Sequence, residues 1–179
     1  AHFHIVMGLS AIFGMFAGVY HWFPRMFGRM LNKTLGYVHF WITVVCVYGV
    51  FFPMHFLGLA GVPRRYYSNS AYEGFDVFLN VNEMITIFAL LGGFAQVVFL
   101  FNFVYSMFKG KKAPQNPWNS TTIEWTSPAG SGIHGNWEGP TPTVYRWPYD
   151  YSKPGAEEDF IPQTVPYSQT KSSNLPGEE

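Results

Sequence analysis

Three long apolar stretches without any Asp, Glu, Lys or Arg constrain this chain more than any other feature. They cover about residues 3–24, 35–62 and 84–108. Each is longer than the roughly 20 residues that an α-helix needs to cross a hydrocarbon core of about 30 Å. Buried helices of soluble proteins rarely stay free of charge over such lengths. The sequence therefore predicts three transmembrane helices and an all-α membrane protein.

The composition agrees with a membrane location and excludes some partners. Only 12% of the 179 residues are charged, about half the fraction that is usual in soluble domains. The 11 Lys and Arg balance the 11 Asp and Glu, which gives no net positive field and argues against a nucleic-acid partner. The single cysteine, Cys46, excludes an intrachain disulfide. We expect Cys46 to be a small buried filler.

Basic residues at the span ends predict the orientation in the membrane. The first loop and the stretch after the third span contain six of them and no acid: Arg25, Arg29, Lys33, Lys109, Lys111 and Lys112. By the positive-inside rule, this loop and the tail lie in the cytoplasm or the matrix, and residue 1 lies outside. Arg64 and Arg65, between the second and third spans, then lie on the outer side.

The remaining residues differ in character from the spans. From Ala113 onward, Pro, Gly, Ser, Thr and Trp are abundant and no helical or strand period persists. We predict a membrane segment over residues 1–108 and an extended, irregular cytoplasmic tail over 109–179, ordered only where its aromatic residues dock. No charged segment precedes the first apolar run, so we expect that this run is not a signal peptide and that the polypeptide begins elsewhere.

Two histidines stand at the start of the first span. His2 and His4 are separated by Phe3, and residues two apart on an α-helix point about 200° away from each other. They cannot bind one metal ion together, so each needs its own partner. A neutral imidazole in a membrane helix commonly ligates haem iron. The pattern favours two haems, one on each side of the helix and about 10 Å apart. Interfacial histidines bonded to backbone or water are the alternative.

Arg64 and Arg65 extend this hypothesis. They are predicted to lie on the same outer side as the two histidines, where the positive-inside rule does not lead us to expect basic residues. A guanidinium group suits a carboxylate, and haems have carboxylate propionates. Contact with lipid headgroups is the alternative interpretation.

Four ordered motifs resemble subunit I of the haem–copper oxidases, specifically cytochrome c oxidase. They are AHFHIVMGLSAIFGMFAGVYHWFP, LNKTLGYVHFW, FFPMHFLGLAGVPRRY and NPWNSTTIEWT. The resemblance covers residue 1 to about residue 125 and corresponds to the last three helices of a twelve-helix bundle plus its tail. The sequence departs from the family pattern at Met54, where an amide is usual, and after Trp125.

The resemblance implies a role for each site residue. His2 matches the axial ligand of the high-spin haem a3, and His4 matches one axial ligand of the low-spin haem a. Phe3 lies between these haems in the family, and Arg64 and Arg65 hold propionates. The resemblance also implies copper B nearby, with ligands outside this chain. Other family-implied partners are the remainder of subunit I, subunit II with its dinuclear copper, subunit III, cytochrome c and lipid.

The function that the resemblance implies is proton-pumping reduction of oxygen in a bacterial or mitochondrial inner membrane. A quinol oxidase of the same superfamily is the main alternative. A non-catalytic membrane cytochrome and a haem-free structural subunit are further alternatives. His21, His39 and His55 fall within the family motifs without being metal ligands there, so structural roles are predicted for them. His134 in the tail has no assigned role.

Overall fold

Three long helices make up most of the described part of the membrane segment. The computed structural model describes residues 1–68, 73–127, 137, 139–151 and 158–169. Its three long helices are α1 (Leu9–Phe27), α2 (Lys33–Leu59) and α3 (Leu79–Lys109). Among the described residues there is no β-strand, and a single isolated bridge joins Arg29 to Lys112.

Shorter helical elements extend two of these helices. A π-helix, His4–Gly8, leads into α1, and a 3₁₀ turn, Phe75–Phe78, leads into α3. Two further 3₁₀ turns, Ile123–Thr126 and Tyr167–Gln169, lie in the tail. The three helices with their extensions are long and apolar enough to cross a membrane. The predicted all-α membrane fold is thereby confirmed.

Helix α2 begins and ends with recognisable caps. The Asn32 side chain accepts a hydrogen bond from the backbone N–H of Leu35 (3.1 Å) at the N-terminus. At the other end, Gly61 has a φ of +87°, and the backbone N–H of Val62 donates to the Leu57 carbonyl (3.0 Å). This is a Schellman-type ending. The helix therefore stops at Leu59, before the apolar run that predicted it ends.

Helix α3 begins before its apolar run. The run was predicted from residue 84, whereas the helix starts at Leu79. Asn80, Asn82 and Glu83 lie just before the apolar run but are compatible with helical backbone. Hydropathy marks the part of a helix suited to lipid, and the hydrogen-bonded helix extends past it.

The chain separates into two compact units. The first contains Ala1–Trp22 and Leu31–Lys111, and the second contains Phe23–Met30 and Lys112–Glu179. The division predicted at residue 108 stays a prediction.

In the first unit, α2 and α3 pack closely where glycines allow it. A Cβ atom added at Gly49 would lie 2.4 Å from the Phe88 ring, and one added at Gly92 would lie 3.2 Å from the Cys46 Cβ. Small residues permit close approach of membrane helices. Cys46 is buried, as predicted.

Buried polar side chains join the helices of the first unit. Asn102 on α3 is fully buried and bonds both backbone groups of Asn32, at 3.1 Å each. Ser106 donates to the same amide oxygen at 3.0 Å. Polar groups that lack water need such partners. These bonds fasten the start of α2 to the last third of α3.

The described part of the second unit is organised by buried polar groups. Arg25 donates to the carbonyls of Glu124 (2.7 Å) and Ser127 (3.0 Å) and to the Ser127 hydroxyl. Its guanidinium lies 5.7 Å from the centre of the Trp125 ring. The described part of the tail is irregular apart from its 3₁₀ turns, as predicted, so its backbone carbonyls lack partners from regular structure and side chains supply them.

Arg146 fixes another part of the tail. It pairs with Asp150 at 3.2 Å, with both side chains buried, and donates to the Val165 carbonyl at 2.7 Å. Gln163 bonds the backbone of Thr121 (2.9 Å) and of Arg146 (2.9 Å). The prediction that only aromatic docking orders the tail is therefore incomplete, because a buried ion pair and a buried amide contribute.

Candidate functional site

The predicted ligand residues lie on the first helical turn. The backbone N–H of Ile5 donates to the Ala1 carbonyl at 3.0 Å, which closes an α-type turn around His2, Phe3 and His4. Within such a turn the two imidazoles point in nearly opposite directions. The π-helix then starts at His4, and π-turns inside helices are frequent at functional sites.

The two imidazoles have different surroundings. The His4 ring stacks on the Phe51 ring of α2, with centroids 5.0 Å apart and planes at 10°. The Phe3 ring lies nearly perpendicular to the same imidazole, with centroids 5.5 Å apart. His2 is exposed, and in the described part of the chain it has no ring contact or hydrogen bond.

Both histidines retain ring nitrogens that are free for a ligand. Within the described residues neither imidazole makes a hydrogen bond, and both side chains are exposed. Neutral imidazole is a usual axial ligand of haem iron. The donor set fits two haem irons, one at each histidine.

The structure offers no closed metal centre within the residues it describes. No group of three or more His, Cys, Asp or Glu side chains converges there. Each of the two histidines can therefore give a metal only one of its protein ligands, as axial coordination of haem requires.

Arg64 and Arg65 lie in the loop that follows α2. Both side chains are exposed, and Arg65 has a φ of +64°, which is uncommon for a residue other than glycine. In the described part of the chain neither arginine pairs with an acid. Two free guanidinium groups are thus available to an anion, and the structure records no contact between them and the two histidines.

His39 differs from the candidate ligands. It is buried, and its Nδ1 lies 3.2 Å from the Tyr20 hydroxyl while its Nε2 lies 3.2 Å from Oε1 of Gln96. Gln96 also donates to the Thr43 hydroxyl at 3.2 Å. With both ring nitrogens engaged, His39 has the structural role predicted for it.

Two more histidines also have neighbours in the first unit. The Nδ1 of His55 lies 3.1 Å from the Phe51 carbonyl, and since a carbonyl only accepts, this nitrogen carries the proton. His21 meets the Trp22 ring edge-on at 5.4 Å. His134 lies outside the described residues.

Sequence reasoning missed the aromatic neighbour of His4 and the partners of His39. Phe51 has no sequence signal, since phenylalanine is common in apolar runs. Gln96 did carry a signal, because an amide in the middle of a span needs a polar partner.

Fold and site together define a multi-pass helical membrane protein. Two imidazoles on one of its helical turns make no hydrogen bond within the described residues. A family model described as "Cytochrome C and Quinol oxidase polypeptide I" matches residues 1–91, about half of the chain. The chain belongs to this family, whose members are respiratory terminal oxidase subunits in membranes.

Several curated relatives support the assignment. The chain is 52% identical over 171 residues to "Alternative cytochrome c oxidase subunit 1" of Bradyrhizobium diazoefficiens, covering 93% of this chain and 28% of that protein. It is 44% identical over 151 residues to "Cytochrome c oxidase subunit 1" of Thermostichus vulcanus, covering 84% of this chain and 26% of that protein. The Synechocystis subunit 1 is 41% identical, with the same coverage of 84% and 26%.

The extent of these matches adds two facts. The chain spans about a quarter of the length of the relatives it matches. The match to the Bradyrhizobium protein covers 93% of this chain and therefore includes most of the tail.

Proposed function

We propose that this chain forms part of the catalytic subunit of a proton-pumping cytochrome c oxidase and supplies one axial ligand to each of two haems. His2 would ligate the iron of the high-spin haem a3, and His4 the iron of the low-spin haem a. The observation that carries the proposal is the pair of unbonded imidazoles on opposite sides of one turn, in a chain of this family.

The bound haems, with copper B, would supply the redox chemistry that reduces oxygen to water. The chain's own contribution is positional. One helical turn carries both imidazoles, and the backbone hydrogen bond that closes this turn would hold the two ligand rings in a set arrangement for the haems. Phe3 would fill the space between the haems. Its ring already packs against His4 in a nearly perpendicular arrangement.

Arg64 and Arg65 would bind haem propionates. Their side chains are exposed and unpaired within the described part of the chain. Propionate carboxylates match guanidinium in charge and geometry. Lipid headgroups offer phosphate to the same arginines, and removal of the haems would distinguish the two anions.

The remaining ligands and the partners would come from elsewhere. Copper B and the second ligand of the low-spin haem belong to the remainder of subunit I. Subunit II with its dinuclear copper, subunit III and cytochrome c complete the proposed assembly, surrounded by lipid. The basic residues at the span ends support an orientation with the chain start outside and the tail in the cytoplasm or matrix.

The decisive experiment substitutes each histidine in the complete oxidase. We expect H4A to remove the low-spin haem signal from the reduced-minus-oxidised spectrum and H2A to abolish carbon monoxide binding. V6A is a matched control, because Val6 lies on the same exposed turn. If either histidine variant kept both signals at full haem content, its assignment would be wrong.

A quinol oxidase is the second candidate, because the matching family includes both kinds of enzyme. The curated relatives compared above are all cytochrome c oxidase subunits, which favours cytochrome c as electron donor. The purified complex should oxidise reduced cytochrome c in preference to ubiquinol. The reverse preference would replace the first candidate by the second.

A further inference from the structure

The His4 and Phe51 rings are stacked nearly parallel, and this contact indicates how the orientation of the His4 ring is controlled. The ring planes lie within 10° of each other at 5.0 Å. Phe51 is on α2, so this contact links the candidate ligand to a second helix. By contrast, Phe3 approaches His4 edge-on, at 87° and 5.5 Å. A phenyl ring lying flat on an imidazole opposes its rotation about the Cβ–Cγ bond, because rotation would drive the imidazole edge into the phenyl face.

A ligating imidazole needs such an orienting contact. In metal sites the second ring nitrogen usually donates to a carboxylate or carbonyl, and this bond fixes the ring. Within the described residues His4 has no hydrogen bond at either nitrogen. Its side chain is also exposed, so surrounding atoms of this chain confine it little. Phe51 is the neighbour that restricts the plane of the ring.

Phe51 is itself well anchored. Its carbonyl accepts a hydrogen bond from Nδ1 of His55 at 3.1 Å. Pro53 lies between these two residues and lacks a backbone N–H. The His55 side chain thus adds a hydrogen bond to a helical turn in which proline removes one. A fixed Phe51 backbone gives its ring a defined place against His4.

We propose that Phe51 is a positioning residue for His4, which sets the plane of the imidazole where it meets the iron of the low-spin haem. This inference rests on the proposed function of His4. Contacts that orient a ligating imidazole tune the properties of the metal it would hold. Phe51 therefore influences the low-spin haem without touching the metal.

The test is F51L in the complete oxidase, with F52L as the matched control. Leucine keeps an apolar side chain but removes the flat ring. Phe52 is the adjacent residue, it is 54% exposed, and its ring neighbours are His55 and Phe56. We expect F51L to shift or broaden the electron paramagnetic resonance signal of the oxidised low-spin haem and to move its optical band. F52L should leave both at their parental positions. Carbon monoxide binding should be unchanged in both variants.

A conservative substitution separates ring stacking from general packing. F51Y keeps an aromatic ring and should retain the parental signal, whereas F51M should shift it as F51L does. If F51L fails to assemble, F51M tests the same loss of the flat ring in its place. A parental signal in F51L and F51M, or an equal shift in F51Y, would overturn the positioning role. Failure of both aliphatic variants to incorporate haem would also contradict it, because a positioning residue leaves the site occupied.

The H4A variant keeps this inference distinguishable from the proposed function. Retention of the low-spin signal in H4A would remove the basis of both. Loss of that signal in H4A, together with parental spectra in F51L and F51M, would leave His4 as a ligand and reject Phe51 as its positioner.

Discussion

Two groups of histidines in the membrane segment show opposite ways of placing an imidazole in apolar surroundings. His2 and His4 are exposed and free of hydrogen bonds within the described residues. His39 is only 2% exposed, and both of its ring nitrogens have partners. A buried imidazole requires such partners, since an unpaired polar group without water is costly.

The difference separates a structural residue from a candidate ligand. For His39 to bind a metal it would have to break its contact with Tyr20 or Gln96. A metal bound at His4 would displace no hydrogen bond within the described residues, since the ring's contacts there are aromatic. The two roles are distinguished by whether the ring nitrogens already have hydrogen-bond partners, more than by how far the residue lies inside the membrane segment.

The largest effect that tests this comparison is expected for H39A. It removes a buried ring packed against Phe16 and Phe99 and leaves the Tyr20 hydroxyl and the Gln96 amide without this partner. We expect a loss of about 2–4 kcal/mol in the unfolding free energy of the complex in mixed micelles. Both haem signals should remain at full amplitude in the folded fraction.

The control for H39A is V38A, at the preceding, exposed position of α2. It should change the unfolding free energy by less than about 0.5 kcal/mol. Loss of one haem signal from folded H39A would contradict the comparison, because it would make His39 part of a haem site.

The sequence was sufficient to predict the helices but not all of their ends. Charge-free runs reveal spans because charges are costly in lipid. The end of α2 depends on a left-handed Gly61, and glycines are too frequent in this chain to mark it. The start of α3 includes Asn80 and Asn82, which hydropathy excludes although a helix tolerates them. No pattern in the sequence predicts the π-helix that begins at His4.

The candidate site was predictable in its residue types and not in its surroundings. The helical repeat fixes the relative orientation of residues two apart, so the spacing of His2 and His4 alone predicts that their side chains point away from each other. The stacking of Phe51 on His4 depends on how two helices pack, which spacing along one helix does not contain. Arg146 in the tail was missed for a similar reason, because its partners come from chain segments that meet only after folding.

An intermediate effect is expected for Q96L, which removes the amide that links His39 to Thr43. Leucine has a similar volume, so the main loss is that of hydrogen bonds to His39 and Thr43, each 3.2 Å long. Side-chain hydrogen bonds between membrane helices contribute about 0.6 kcal/mol each on average. We expect a destabilisation of about 1–2 kcal/mol, measured by the same micelle titration.

V97A on the neighbouring, 59% exposed position of α3 is the control for Q96L. The double variant H39A/Q96L should be less destabilised than the sum of the single variants, because the two residues share a hydrogen bond. Strict additivity would show that this bond does not couple α2 to α3.

The smallest effect is expected for Y20F, which removes one hydroxyl from α1. This hydroxyl lies 3.2 Å from Nδ1 of His39, and the phenyl ring left by the substitution keeps the packing of Tyr20 against Phe99. The expected loss is about 0.6 kcal/mol. Y48F is the matched control, since Tyr48 is 57% exposed and makes no hydrogen bond within the described residues. A difference between Y20F and Y48F that disappears in an H39A background would assign the loss to the bond with His39. The same difference persisting without His39 would show that the Tyr20 hydroxyl stabilises the protein through a partner other than His39.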